Sequence, residues 1–146
     1  SNHPVNSVLV RAEQMIASVR SESIKVCVLR LGGIYGPGRD IPAMLLSAAG
    51  GLVQRNGLNV PCWIHRDDIV RGINFAFDQG LNDTYNLVND TQCNGQELTD
   101  RLCERAGLPL AKWLTRDTSD RILNARVSNA KLKQLGFSFA HPCMLG

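Results

Sequence analysis

No run of five like charges occurs in this 146-residue sequence, and 16 Lys plus Arg against 13 Asp plus Glu leave a net charge of only +3. Nucleic acid is therefore not an implied partner. Nowhere do eighteen apolar residues run together, and Ser1-Asn2-His3-Pro4 offers no basic stretch leading into an apolar one. Neither a membrane partner nor an export signal is expected. The five cysteines, Cys27, Cys62, Cys93, Cys103 and Cys143, form no C-x-x-C pair and have no histidine at metal-ligand spacing. They are read as free thiols of a cytoplasmic protein. Aromatic residues are scarce at 5%, and no alternation of basic and aromatic residues surrounds Trp63 or Trp113, so both are read as packing residues rather than platforms for bases.

With 44% hydrophobic and 20% charged residues, the composition is that of an ordinary soluble protein, and the length suits a single domain over residues 1–146. Val5, Val8, Leu9, Ala12, Met15, Ile16 and Val19 recur at helical spacing and predict an amphipathic helix whose apolar face needs a sheet to cover it. Lys25 to Leu31 is apolar on both alternating faces, as in a parallel strand covered on both sides. The segment from Gly32 to Gly38 holds four glycines and a proline and is expected to form neither strand nor helix. It lies at the carboxyl end of a parallel strand, where open α/β sheets bind ligands.

A short helix is expected from about Ile41 to Ala49, then an Asn56-Gly57 turn with two short extended pieces between Leu52 and Ile64. Asp67 is the expected cap of a helix carrying Ile69, Val70, Ile73, Ala76 and Phe77, with Gly80 at its left-handed end. A strand over Thr84 to Val88 follows. Asn94 and Glu97 stand at capping-box spacing before a helix closed by Gly107 and Pro109, and a last helix is expected from Ser128 to Gly136. Strands separated by helices imply parallel pairing and an α/β class. Two main parallel strands flanked by four to five helices make an incomplete sheet, because the outer strand would expose unpaired backbone and apolar faces. A homodimer or higher homo-oligomer covering those faces is the expected outcome.

Four stretches in order carry a family resemblance: Val28 to Arg39 (VLRLGGIYGPGR), Ile64 to Val70 (IHRDDIV), Tyr85 to Val88 (YNLV), and Arg126 to Leu132 (RVSNAKL) followed by Leu135-Gly136-Phe137. The chain resembles the carboxy-terminal half of the extended short-chain dehydrogenase/reductase superfamily, in its NAD-dependent epimerase/dehydratase branch. The resemblance implies a partial Rossmann-like fold, with NAD or NADP as the family's cofactor. In that family the amino-terminal part carries G-x-x-G-x-x-G, whose glycines let the backbone approach a pyrophosphate. The motif is absent here, so no cofactor is expected to bind this chain alone.

The family's catalytic Tyr and Lys positions correspond to Val5 and Leu9, neither of which transfers a proton, so no catalytic residue is assigned. Many nucleotide-sugar epimerases have an Arg where Pro61 stands, which removes support for a nucleotide-sugar substrate. By resemblance, Gly33, Ile34 and Tyr35 would lie against the nicotinamide as a vestigial cofactor site, and Arg39, His65 and Arg66 would line a substrate cleft. The bland alternative is a glycine loop that merely turns the chain. His65-Arg66-Asp67-Asp68 is read as a helix start rather than a metal or acid-base cluster, since His3 and His141 lie at opposite ends of the sequence; no metal is expected. Tyr35 would need a neighbouring cation to serve as a general acid, and Cys27 and Cys62 sit in apolar stretches where thiols are inert.

Two functions remain. One is the substrate-side half of an NAD(P)-dependent epimerase or oxidoreductase completed by another chain. The other, favoured by Val5, Leu9 and the absent phosphate loop, is a self-associating or ligand-binding module without catalysis on its own, with a small molecule as a candidate partner.

Overall fold

The computed structural model describes residues 4–114 and 125–145, with side chains of the first helix from Ser7 onward; His3 and the Val5 side chain lie outside the described residues. In order, the chain forms α1 (Pro4–Ala17), β1 (Val28–Leu31), β2 (Gly33–Tyr35), α2 (Ile41–Leu46), β3 (Leu52–Val53), β4 (Trp63–His65), α3 (Arg66–Asp78), β5 (Thr84–Leu87), α4 (Gly95–Ala106), β6 (Lys112–Trp113) and α5 (Ala130–Gln134). All three strand pairs are parallel: β1 with β5, β2 with β4, and β3 with β6. The α/β class and the partial Rossmann-like arrangement are thus as the sequence implies.

The glycine segment after β1 departs from expectation. It was expected to end regular structure, yet the chain continues through Gly32 into β2 and changes partner on the way. The Gly32 amide donates to Leu87 on one side, and the Gly33 amide donates to Cys62 at 2.7 Å on the other. The glycines permit this instead of preventing it. A Cβ at Gly32 would stand 2.8 Å from the Cys62 carbonyl oxygen, and one at Gly33 would stand 2.9 Å from the Trp63 ring. The sheet forks here: β5 stays with β1 while β4 follows β2.

Other elements are shorter than their sequence signals. The first strand begins at Val28, because the Val26 amide bonds the Asn82 side chain at 2.8 Å instead of joining the ladder. Leu31 is exposed, so the strand is not covered on both sides. The Asn56-Gly57 turn is present, with the Asn56 side chain accepting the Leu58 amide and Gly57 at φ 65°, but β3 and β4 flank it without pairing to each other. Asn94 and Glu97 close a reciprocal capping box on α4, and Gly107 ends it at φ 65°.

Two hydrophobic clusters lie on opposite sides of β4, as the alternation of side chains along a strand requires. Trp63 packs against Tyr35, Ile41, Leu98, Leu102 and Met144, whereas the next residue, Ile64, joins Tyr85, Leu87, Leu132 and Phe137. Trp113 lies against Gly57, where a Cβ would meet its ring at 2.8 Å, so both tryptophans pack. The first helix is the exception to this packing. It is tied to β1 by a fork of hydrogen bonds from Arg30 to Glu13, and the Arg30 guanidinium holds the Glu13 carboxyl below its ordinary range. Its apolar residues Val8, Leu9, Met15 and Ile16 are all exposed, as is Val19 in the turn after its end at Ala17, so the sheet that this face needs is not supplied by the described residues.

Replacing Gly32 by Ala forces a methyl group into the backbone of β4, which cannot rotate away. The expected loss is about 2 kcal/mol of stability in urea denaturation; an unchanged midpoint would mean that the fork opens at no cost.

Candidate functional site

The carboxyl ends of β2 and β4 bring Tyr35 and His65 together, their rings in edge-to-face contact at 5.1 Å. Gly36 follows at φ 135°, and a Cβ there would lie 2.9 Å from His65 Nε2, so glycine is required for the imidazole to sit beneath the loop. The turn then closes on itself, with Gly36 and Arg39 exchanging both backbone hydrogen bonds, and Asp40 caps α2 by accepting the Ala43 amide.

His65, not Asp67, caps α3: its Nδ1 accepts the Asp67 amide at 3.2 Å. The expected cap is therefore displaced by two residues, because β4 runs directly into the helix and leaves His65 in extended conformation at the cap position. Asp67 and Asp68 occupy the first turn, where the helix dipole favours negative charge.

Asp68 has a second task that its sequence neighbours do not reveal. Its carboxylate has no exposed surface and accepts the amides of Ala140 at 2.6 Å and His141 at 2.9 Å, with Arg71 Nε 3.7 Å away. Two charge-assisted bonds to the backbone of a distant segment clamp the carboxy-terminal strap onto α3. The strap then lays His141 on His65, ring centroids 3.6 Å apart and planes tilted by 31°. Beyond His141, Asp90 donates its amide to Pro142, and the Met144 amide bonds Thr91.

The result is a cleft of about 470 Å³ lined by Tyr35, Gly36, Pro37, His65, His141 and Cys143. Of the residues assigned to a substrate cleft by resemblance, His65 lines it, while Arg39 and Arg66 are exposed and do not. Gly33 lines a second opening at the fork, with Arg30, Asn86 and Arg126, and Ile34 is exposed beside it. Sequence reasoning missed His141 and Cys143, whose proximity depends on the Asp68 clamp.

Burial pushes the Tyr35 hydroxyl above its usual pKa, and the hydrogen bond from Asn89 at 3.3 Å only partly offsets this. Tyr35 is thus protonated at neutral pH, and no cation among the described residues lowers its pKa. Burial likewise raises the thiols of Cys27 and Cys93, so neither is a ready nucleophile. The starts of α2, α3 and α4 are each closed by a side chain of their own, from Asp40, His65 and Asn94, whereas the five-residue α5 starts without one. Carboxylates stand in or beside all three first turns, so these termini do not fit a pyrophosphate, which needs open amides without a competing anion.

The family model described as the NAD dependent epimerase/dehydratase family matches residues 9–88. No curated protein matches the chain. Among solved structures, a functionally unknown conserved protein from Silicibacter pomeroyi DSS is 28% identical with a TM-score of 0.74, over 93% of this chain and 51% of that one. The UDP-glucose 4-epimerase of Thermus thermophilus in complex with NAD is 17% identical with a TM-score of 0.68, over 96% and 49%. The dTDP-glucose 4,6-dehydratase of Bacillus anthracis str. Ames in complex with NAD is 20% identical with a TM-score of 0.64, over 91% and 45%. The chain spans about half the length of these solved structures.

Changing Asp68 to Asn removes the charge and one acceptor from a buried site that serves two backbone amides. Stability is expected to fall by about 2–3 kcal/mol, with proteolytic cleavage appearing first between Ser138 and Leu145. Intact protease resistance in a destabilised variant would show that the strap is held by something else.

Proposed function

The chain belongs to the NAD dependent epimerase/dehydratase family, and on that premise we propose that it is the substrate-side half of such a fold, acting as a self-associating, ligand-binding module without catalysis on its own. The observation that carries this reading is the uncovered apolar face of α1, where Val8, Leu9, Met15 and Ile16 face solvent. A helix of 14 residues is marginal alone in water, and each such side chain contributes about 2 kcal/mol when buried. A second copy of the chain meets this need by packing α1 on α1 or by pairing β1 edges.

The absence of catalysis rests on particular residues. Leu9 stands exposed at the position where the family resemblance places a lysine, and Tyr35 is buried with a raised pKa. The closed starts of α2, α3 and α4 do not suit the pyrophosphate of NAD or NADP. The ligand-binding part of the proposal rests on the cleft between Tyr35, His65 and His141, large enough for a small polar molecule.

A second reading has its own support. The chain matches about half of each of two solved structures that hold NAD, so a dinucleotide-binding half, rather than a second copy, would cover α1. The solution mass and a dinucleotide titration separate the two. Light scattering at micromolar concentration is expected to give a dimer or larger, calorimetry with NAD and NADP no binding, and the double variant Leu9→Lys, Ile16→Lys a monomer. A sharp monomer mass for the unaltered chain would overturn self-association, and micromolar dinucleotide binding would overturn the absence of a cofactor site.

A further inference from the structure

The first turn of α3 places a third polar group, Asp67, beside the stacked histidines. Asp67 Oδ2 lies 3.7 Å from His65 Nδ1 and 3.7 Å from His141 Nε2, and one ligand atom from each of the three residues falls within 4.8 Å of the others. Nearest-neighbour ligand atoms around a tetrahedral zinc ion stand about 3.4 Å apart, given metal-ligand distances near 2.1 Å. Two of the three spacings are therefore close to what an ion needs. Asp67 is half-exposed, and its other oxygen faces the Arg66 guanidinium at 3.6 Å, which leaves Oδ2 turned toward both imidazoles.

We propose that His65, Asp67 and His141 form a binding site for a divalent first-row transition metal. Two imidazoles with one carboxylate suit zinc, nickel or copper better than magnesium or calcium, which prefer all-oxygen shells. Three protein ligands leave a coordination position open, and two of the three, His65 and His141, line the cleft. The proposal does not depend on how α1 is covered.

Binding requires two local changes, both cheap in this setting. Stacked rings hold their in-plane lone pairs side by side, so His141 must swing out of the stack; its side chain is 43% exposed and its backbone stays anchored to Asp68. The long 3.2 Å cap from Asp67 to His65 Nδ1 must yield to the metal at that atom. Asp68, held by two backbone amides, is not available as a ligand and keeps the frame in place.

The test is a zinc titration of the full chain against a competing chromophoric chelator, joined to nitrogen-15 spectra of the histidine side chains. One zinc per chain is expected at micromolar or tighter affinity, with the ring signals of His65 and His141 both shifting. Affinity is expected to fall by at least about tenfold in His141→Ala and in Asp67→Asn, since even outer-shell losses have effects of that size. His3→Ala and Cys27→Ser are expected to bind as the unaltered chain does. Unchanged affinity in both His141→Ala and Asp67→Asn would overturn the site, as would binding lost in Cys143→Ser but kept in His141→Ala, which would put the ion on thiols. The spectra of the unaltered chain decide the matter independently of how any variant folds: zinc bound without movement of the His141 signals contradicts the proposal.

Discussion

The Asp68 carboxylate, fully buried in the first turn of α3, accepts two backbone amides from residues more than seventy positions away. A buried charge is tolerated only where hydrogen bonds replace its lost hydration, and here the strap supplies them. The strap in turn depends on the carboxylate, which is the acceptor for two adjacent amides of an irregular segment. From this single exchange follow the stacking of His141 on His65, the wall of the cleft, and the tie between the two hydrophobic clusters, with Phe137 and Phe139 before the clamp and Met144 after it.

A second constraint acts at the fork. Gly32 has to pass so close to the Cys62 backbone that no side chain fits, which lets β2 leave β5 and take up β4. The ends of β2 and β4 thus deliver Tyr35 and His65 to one place. Glycine at Gly36 then admits the imidazole beneath the turn. The geometry of the cleft therefore comes from close backbone approach as much as from side chains. The first helix carries its apolar stripe into solvent, tied to β1 by the Arg30–Glu13 pair.

Periodicity and capping chemistry made much of this fold legible in advance. Helical spacing located α1 and α3, and the Asn94–Glu97 capping box and Gly107 bounded α4, because those signals are local and each element's ends are set by its own residues. The β1–β5 pair was legible for the same reason. The segment from Gly32 to Gly38 was misread because glycine weakens a strand in isolation, whereas here a neighbouring backbone requires it. His65 and not Asp67 became the cap because β4 runs into α3 without a loop, a feature of chain path that composition does not encode. In the cleft, Tyr35 and His65 could be picked out from the family resemblance. His141 could not, since only the fold of the strap sets it beside His65.

The strap wall of the cleft depends on the Asp68 clamp, and backbone hydrogen exchange measures it at the two amides concerned. The amides of Ala140 and His141 are predicted to exchange as slowly as those of β5 in the core, although both lie in an irregular segment near the chain's end. Exchange at the rate of an exposed loop would mean that the carboxylate does not hold the strap, and the cleft built on it would have no fixed wall.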